Sequence, residues 1–113
     1  MSKAARVPLE VQRVMRDFQC RLQRHFGSRL RDVRLFGSYA RGAAHEDSDV
    51  DVFVLLDQMD YEAQRDVLNI AADLFVETNL FVSPSVFGQA VYEAHRDQER
   101  PLISQIEQQG LRF

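Results

Sequence analysis

The sequence is poor in the residues that build disulfides, thiolate metal sites and membrane spans. It contains one cysteine, Cys20, and no tryptophan, so an internal disulfide and a cysteine-based metal centre are both excluded. No stretch approaches the ~20 apolar residues that a membrane-spanning helix needs, and residues 1–7 lack the apolar core of a secretion signal. We therefore expect a cytoplasmic protein with no membrane segment.

Positive charge is also in short supply. The chain has 14 lysines and arginines against 17 aspartates and glutamates, which gives a formal net charge of −3. Proteins that grip long nucleic acids usually present a basic face that replaces condensed counterions, so a nucleic-acid polymer is not the expected ligand. Arginines nevertheless concentrate before residue 35, where they form either a solvated helix face or a local positive surface: Arg6, Arg13, Arg16, Arg21, Arg24, Arg29, Arg31 and Arg34.

What remains is an ordinary globular composition with a mixed pattern of helices and strands. The 113 residues are 45% hydrophobic and 27% charged, and no repeat or linker divides them, which predicts a single domain over residues 1–113. Hydrophobic periodicity predicts helices over 8–26, 61–78, 90–95 and 101–109, and strands over 33–36, 49–56 and 80–87. Pro84 indicates that the last strand lies at a sheet edge or is interrupted. This order favours an α+β fold, a small mixed β-sheet with helices packed mainly on one face.

The turn at Gly37 and Ser38 is the first candidate site. It follows an apolar strand and precedes residues that can begin a short helix, which Gly42 would end. A glycine at such a turn lets the backbone approach a ligand closely, and the first amides of a helix have no partner within the helix. The turn is therefore a predicted phosphate-binding element.

Two aspartates, Asp49 and Asp51, open the next strand. With a side-chain period of two, they share a face with Phe53 and Leu55, and their Cα atoms should lie roughly 6.6 Å apart. Both carboxylates can then converge on Mg²⁺ or Mn²⁺, alone or with a second ion. The alternative is a set of plain turn and strand polar residues. Aspartate is depleted in strands and like charges on one face need a counter-ion, so we favour the metal site.

The two motifs together carry a family resemblance. Residues 37–42 (Gly-Ser-Tyr-Ala-Arg-Gly) and 47–52 (Asp-Ser-Asp-Val-Asp-Val) resemble, in order and spacing, the signature of the minimal nucleotidyltransferases of the DNA polymerase β superfamily. The rest of the chain is similar only loosely, through element order and a C-terminal Ile-Glu-Gln-Gln-Gly-Leu stretch. The resemblance implies a nucleotidyltransferase fold that binds ATP or another nucleoside triphosphate with Mg²⁺ and transfers a nucleotidyl group.

The resemblance also implies roles for individual residues. Asp49 and Asp51 would be the catalytic metal ligands, and Gly37 and Ser38 would cradle the outer phosphates. Arg41, one turn further on, could donate to phosphate as a fork or could instead pair with Asp47. His45, in the loop between the motifs, could reach substrate, although a plain loop residue is the favoured interpretation.

One expected ligand is missing. Many active members of this family bring a third carboxylate from a neighbouring strand, but residues 80–87 contain no acid. Glu77 and Glu93 are candidate substitutes, each better interpreted as a surface helix residue. Water, substrate phosphate or a partner chain could otherwise supply the third ligand of the metal ion. If none does, the protein binds nucleotide weakly or catalyses poorly.

Finally, the resemblance implies a partner protein. In this family the nucleotidyltransferase is often the antitoxin that silences a helical HEPN-type ribonuclease toxin. In some cases it does so by modifying the toxin covalently. We therefore predict a Mg-dependent nucleotidyltransferase that passes AMP from ATP to such a partner, with self-association left open. The alternative is a nucleotide-binding or antitoxin module that caps the partner without chemistry. A stand-alone transferase acting on a small molecule ranks last.

Overall fold

Among the residues that the structure describes, three strands form one mixed sheet at the centre of the fold. The computed structural model describes residues 3–45 and 47–113. The strands are β1 (Leu30–Phe36), β2 (Val50–Leu56) and β3 (Val82–Gly88), and they lie in the order β1-β2-β3. β1 and β2 are antiparallel, whereas β2 and β3 are parallel. The predicted mixed sheet is confirmed, although β1 begins at residue 30 rather than 33 and β2 begins one residue after Asp49.

The helices fall where the hydrophobic periodicity predicted them. Within the described ranges they are α1 (Leu9–Phe26), α2 (Ser38–Arg41), α3 (Tyr61–Thr78), α4 (Gln89–Asp97) and α5 (Pro101–Gln109), with short 3-10 turns at Ala4–Arg6 and Gly27–Arg29. Helix α3 is capped at its start by Asp60, whose side chain accepts a 2.8 Å hydrogen bond from the Ala63 amide. In the described part of the chain, no helix has both the length and the apolar character that a membrane crossing requires.

The larger core lies between the sheet and the two long helices, α1 and α3. From β2 it takes every second side chain, and these are fully buried: Val50, Val52, Val54 and Leu56. Helix α1 adds a stripe of apolar residues at helical spacing that includes Met15, Phe18 and Leu22. The long helices therefore cover one face, as predicted.

A smaller core lies on the opposite face of the sheet. There Phe53 and Leu55 of β2 pack with Tyr92 of α4 and with Ile103 and Ile106 of α5. Asp51 belongs to this second face, because side chains alternate along a strand. It lies just before the covered part and remains partly exposed. The two short helices thus leave the beginning of β2 accessible.

The two edges of the sheet differ. Beside β1 the chain returns at its C-terminal end, where Leu35 and Leu111 exchange two 2.8 Å backbone hydrogen bonds. Gly110 permits this return, because a Cβ there would overlap the Ile106 carbonyl oxygen and lie 2.9 Å from Arg34 Cδ. The other edge is β3, and within the described residues no further strand pairs with it. The edge position predicted from Pro84 is confirmed.

Asp32 ties the C-terminal return to the sheet. Its carboxylate accepts a 2.7 Å hydrogen bond from Arg34 Nε and two from Arg112, at 3.0 and 3.1 Å. Burial alone would raise the pKa of Asp32, but the two guanidinium groups outweigh burial and hold this pKa below its usual value. A carboxyl with a depressed folded-state pKa contributes stability above its unfolded pKa, and that stability is lost as pH falls through the folded pKa.

We expect Asp32→Asn to lower the free energy of unfolding by about 1 kcal/mol near neutral pH, a value that allows for the exposure of Arg112. The difference from the wild type should shrink as pH falls below about 4, where the unfolded carboxyl protonates. Thermal melts of both proteins across this pH range check it, with Asp97→Asn, an exposed acid 3.9 Å from Arg96, as the control. A difference that does not change with pH would contradict this assignment.

Candidate functional site

Gly37 and Asp51 are in direct contact on the second face of the sheet. β1 ends at Phe36, which pairs with Asp51 across the antiparallel ladder, so the turn after Phe36 lies beside that carboxylate. A Cβ built on Gly37 would overlap Asp51 Oδ2 and lie 3.0 Å from Asp51 Cγ. Gly37 also has φ 76° and ψ −152°, a backbone region that is essentially restricted to glycine. The space that the missing side chain leaves is occupied by the Asp51 carboxylate.

Helix α2 follows this glycine directly. Its first bond runs from the Arg41 amide to the Gly37 carbonyl oxygen at 3.1 Å, and Gly42, in the left-handed region at φ 73°, ends it as predicted. The amides that precede the first bond have no partner inside the helix. Because α2 is a single turn, an anion at this position would be held by individual N–H groups and by the Ser38 hydroxyl, not by a helix dipole.

The two aspartates and Arg41 interact electrostatically. Burial raises the pKa of Asp51 and the charge of Asp49 raises it further, while the charge of Arg41 acts in the opposite direction. Asp49 is exposed and lies immediately before β2. The structure therefore brings together the five predicted site residues, since Gly37 touches Asp51 and Ser38 begins α2. Two repelling carboxylates form a donor set that a divalent cation would stabilise.

On the neighbouring strand, β3, a serine lies where the family resemblance predicts a third carboxylate. Ser83 on β3 is the register partner of Asp51, and Ser85 follows two residues later on the same face. Among residues 3–45 and 47–113, no group of three or more His, Cys, Asp or Glu side chains could hold a metal ion. A two-carboxylate set suits Mg²⁺, which keeps several waters and accepts substrate phosphate as a ligand.

The two candidate substitutes are engaged elsewhere. Glu77 accepts hydrogen bonds of 2.7 and 2.8 Å from Arg21, which joins α3 to α1 on the other face of the sheet. Glu93 accepts a 3.0 Å hydrogen bond from Gln89 within α4. Glu77 is therefore not placed to complete the metal site, and Glu93 behaves as a helix-surface residue.

The loop between the two motifs is closed by a serine. The Ser48 hydroxyl accepts a 3.0 Å hydrogen bond from the His45 amide, and the Ser48 amide donates to the His45 carbonyl oxygen at 2.9 Å. Among the ion pairs of the described residues, none involves Arg41. The alternative ion pair between Arg41 and Asp47 is therefore not present among the described residues, and Arg41 remains exposed beside Asp51.

A cavity of about 410 Å³ opens on the other side of α2. Its walls come from the N-terminal segment, from α2 and from the end of α5: Lys3, Arg6, Val7, Tyr39, Ala40, Arg41, Gly42 and Gln109. Sequence reasoning did not single out Lys3 and named Arg6 only among the early arginines. The structure separates those arginines, because Arg21, Arg29 and Arg34 are ion-paired whereas Arg6 lines this cavity.

Sequence comparison relates the chain to a family of known chemistry. Residues 15–107 match the nucleotidyltransferase domain family. The chain is 28% identical over 91 residues to a Methanocaldococcus jannaschii protein assigned as a protein adenylyltransferase, covering 80% of this chain and 92% of that protein. It is 31% identical over 93 residues to the protein adenylyltransferase MntA of Thermococcus cleftensis, covering 74% of this chain and 92% of MntA.

Solved structures give the same relationship. A toxin–antitoxin crystallised with AMP-PNP superposes with a TM-score of 0.57 at 27% identity, covering 83% of this chain and 68% of that one. An MntA-HpeT toxin–antitoxin mutant, in which two aspartates separated by one residue are replaced by glutamate, gives 0.56 at 26% identity, with coverages of 82% and 67%. A structure assigned as a minimal nucleotidyltransferase gives 0.60 at 22% identity, covering 91% and 92%, which shows the shared fold alone.

Proposed function

This chain belongs to the nucleotidyltransferase domain family, and from that premise we propose that it transfers AMP from ATP to a partner protein with Mg²⁺ as the metal ion. Its homology to protein adenylyltransferases makes a nucleotidyltransferase the basic assignment. The observation that carries the finer proposal is the contact between Gly37 and the Asp51 carboxylate. This contact joins the proposed phosphate-binding turn to the proposed metal ligand in one rigid unit.

The donor set at this point fits a hard divalent cation. Asp49 and Asp51 offer carboxylate oxygens. Burial, and then the charge of Asp49, raise the pKa of Asp51, and a cation would offset this penalty on the charged form. We propose that these two residues hold Mg²⁺, or Mn²⁺ in its place, with substrate phosphate and water as the other ligands. When bound there, the metal ion would neutralise charge that develops on the phosphates.

The remaining site residues are proposed to position the nucleotide. The first amides of α2 and the Ser38 hydroxyl donate to the outer phosphates, and Arg41 donates from the far end of α2. In the reaction, the acceptor hydroxyl oxygen forms a bond to the α-phosphorus while the bond to the α,β-bridging oxygen breaks. Pyrophosphate leaves, and the hydroxyl proton passes to solvent. The chain acts by orientation and charge complementarity.

The acceptor is proposed to be a toxin. Two of the related structures are toxin–antitoxin complexes, and one of these contains AMP-PNP. We infer that this chain is the antitoxin of a HEPN-type toxin and that the acceptor hydroxyl lies on that toxin. The cytoplasmic location stays a prediction.

The transfer can be tested with two labels. The protein is incubated with Mg²⁺, the protein encoded by the adjacent gene, and ATP labelled on either the α- or the γ-phosphate. We expect label on the partner from α-labelled ATP only, because the group transferred is AMP, and we expect none when EDTA is present. Label from γ-labelled ATP would mean phosphoryl transfer and would overturn the proposal.

A non-catalytic cap is the second candidate, and the serines beside Asp51 on β3 favour it. A cap would block the partner toxin without ATP, and it would do so equally well after Asp51→Asn. Toxin inhibition that requires ATP and Asp51 excludes the cap and supports transfer.

A further inference from the structure

The cavity behind α2 gathers positive charge without a matching acid. Lys3, Arg6 and Arg41 line it, and its lining contains no aspartate or glutamate among the described residues. We propose that these three side chains form a polyphosphate-binding site and that it takes the pyrophosphate end of the nucleotide. This inference rests on the proposed function for the identity of the nucleotide, but the charge cluster does not depend on it.

The three cations are available for a ligand. Within the part of the chain that the structure describes, no ion pair involves Lys3, Arg6 or Arg41. Two acids act electrostatically near the cavity: Asp51 interacts with Arg41, and the charge of Glu10, after burial, raises the pKa of the Tyr39 hydroxyl at the cavity wall. Three like charges around one cavity repel each other unless an anion joins them. In a chain of net charge −3, such a concentration is a local feature and not a general basic surface.

The N-terminal segment that carries Lys3 and Arg6 is anchored. Val7, which follows the 3-10 turn, is only 5% exposed and belongs to the larger core. The Gln12 side chain of α1 donates a 2.7 Å hydrogen bond to the Val7 carbonyl oxygen and a 3.5 Å bond to that of Ala5. The two cations therefore extend from a segment that is held against the fold, which lowers the entropy lost when they bind an anion.

Helix α2 is the wall that the cavity shares with the aspartate site. At one end Gly37 contacts Asp51, and at the other Arg41 both lines the cavity and acts electrostatically on Asp51. Four helical residues span only about 6 Å, so one extended anion can contact both ends of α2. A triphosphate has this form: with its α-phosphate at the reacting centre, its outer phosphates would extend from the first amides of α2 toward Arg41 and the cavity.

The site can be tested by binding alone. We expect the full chain without metal to bind inorganic tripolyphosphate in a calorimetric titration, and the double variant Lys3→Gln with Arg6→Gln to bind it at least tenfold more weakly. The control is Arg13→Gln with Arg16→Gln, which removes the same charge from exposed positions of α1 and should leave the affinity within about twofold. If both double variants bind tripolyphosphate equally weakly, the loss of net charge explains the effect, and the proposed site is overturned.

The transfer assay adds measurements that would not change if Lys3 and Arg6 had only a structural role. Loss of Lys3 and Arg6 should raise KM for ATP and weaken inhibition by pyrophosphate about tenfold, while inhibition by AMP stays unchanged. Tighter binding of a 5′-phosphorylated oligonucleotide than of tripolyphosphate would assign the cavity to nucleic acid and overturn the proposal. Tripolyphosphate binding that requires Lys3 and Arg6 supports the site even where no AMP transfer is found, in which case only the proposed function fails.

Discussion

Gly37→Ala is expected to reduce AMP transfer by at least about 10²-fold. The new Cβ would overlap Asp51 Oδ2, and Asp51 Cγ and Cβ lie only 3.0 and 3.1 Å from it. The carboxylate must therefore move by roughly 1 Å, and a displacement of that size at a reacting centre costs rate on this scale. The backbone adds strain, because φ at Gly37 is 76°. Transfer of α-labelled AMP to the partner, measured beside a thermal melt, gives both effects.

Gly27→Ala is the matched control for that substitution. Gly27 has φ 57° and ψ −129° at the end of α1, and a Cβ there meets nothing within 4 Å. It should therefore destabilise the fold by about 1–3 kcal/mol through backbone strain and leave the transfer rate of the folded protein unchanged. If the two variants lose activity equally, backbone strain explains the loss and the Gly37–Asp51 contact has no special role.

Asp51→Asn is expected to lower transfer by about 10³-fold and to stabilise the protein when no metal is present. The loss follows from removal of a charged ligand next to the reacting phosphate. The gain follows from the raised pKa of Asp51, which burial and the charge of Asp49 produce. A carboxyl with a raised folded-state pKa destabilises the fold above that pKa, and the penalty disappears as pH falls through it. The gain in melting temperature should thus be present near neutral pH and vanish in acid.

Two further variants sharpen this experiment. Asp49→Asn should also lose transfer but change stability less, because Asp49 is exposed. Asp73→Asn, which removes a charge from an exposed position of α3, should change neither property. Addition of Mg²⁺ with ATP should stabilise the wild type and not the Asp51 variant. A metal-free Asp51→Asn protein that melts below the wild type would contradict the electrostatic account.

The second strand shows how far sequence reasoning reaches. Alternation along β2 separated the face with Val52 from the face with Asp51 and Phe53, and the two cores confirm this division. The same strand is an almost continuous apolar run, which is typical of strands buried on both faces. No second layer of helices was predicted from this run, and α4 and α5 cover the face with Phe53. The prediction of helices mainly on one face holds for the long helices, α1 and α3.

The contacts that define the site depend on pairing between distant segments. Gly37 was expected to let a ligand approach the backbone, whereas in the fold it is the Asp51 carboxylate that approaches. That contact exists because Phe36 and Asp51 are register partners. The register of the same ladder shifts between Leu30 and Asp32, and no local sequence pattern predicts that shift. The assembly of Lys3 and Arg6 with Arg41 likewise requires the N-terminal segment to pack beside α2. Local propensity carries no information on such long-range packing.

The central position of β2 has a consequence for how the two aspartates behave. β2 is bonded to β1 on one side and to β3 on the other, and even its first amide, at Val50, donates a 2.8 Å hydrogen bond to the Phe81 carbonyl oxygen. The backbone of Asp51 is therefore held by the sheet on both sides. Asp49 stands one residue outside this ladder, on exposed chain. If the two aspartates hold a metal ion as proposed, Asp51 is the ligand fixed by the sheet and Asp49 is the ligand on exposed chain that can adjust.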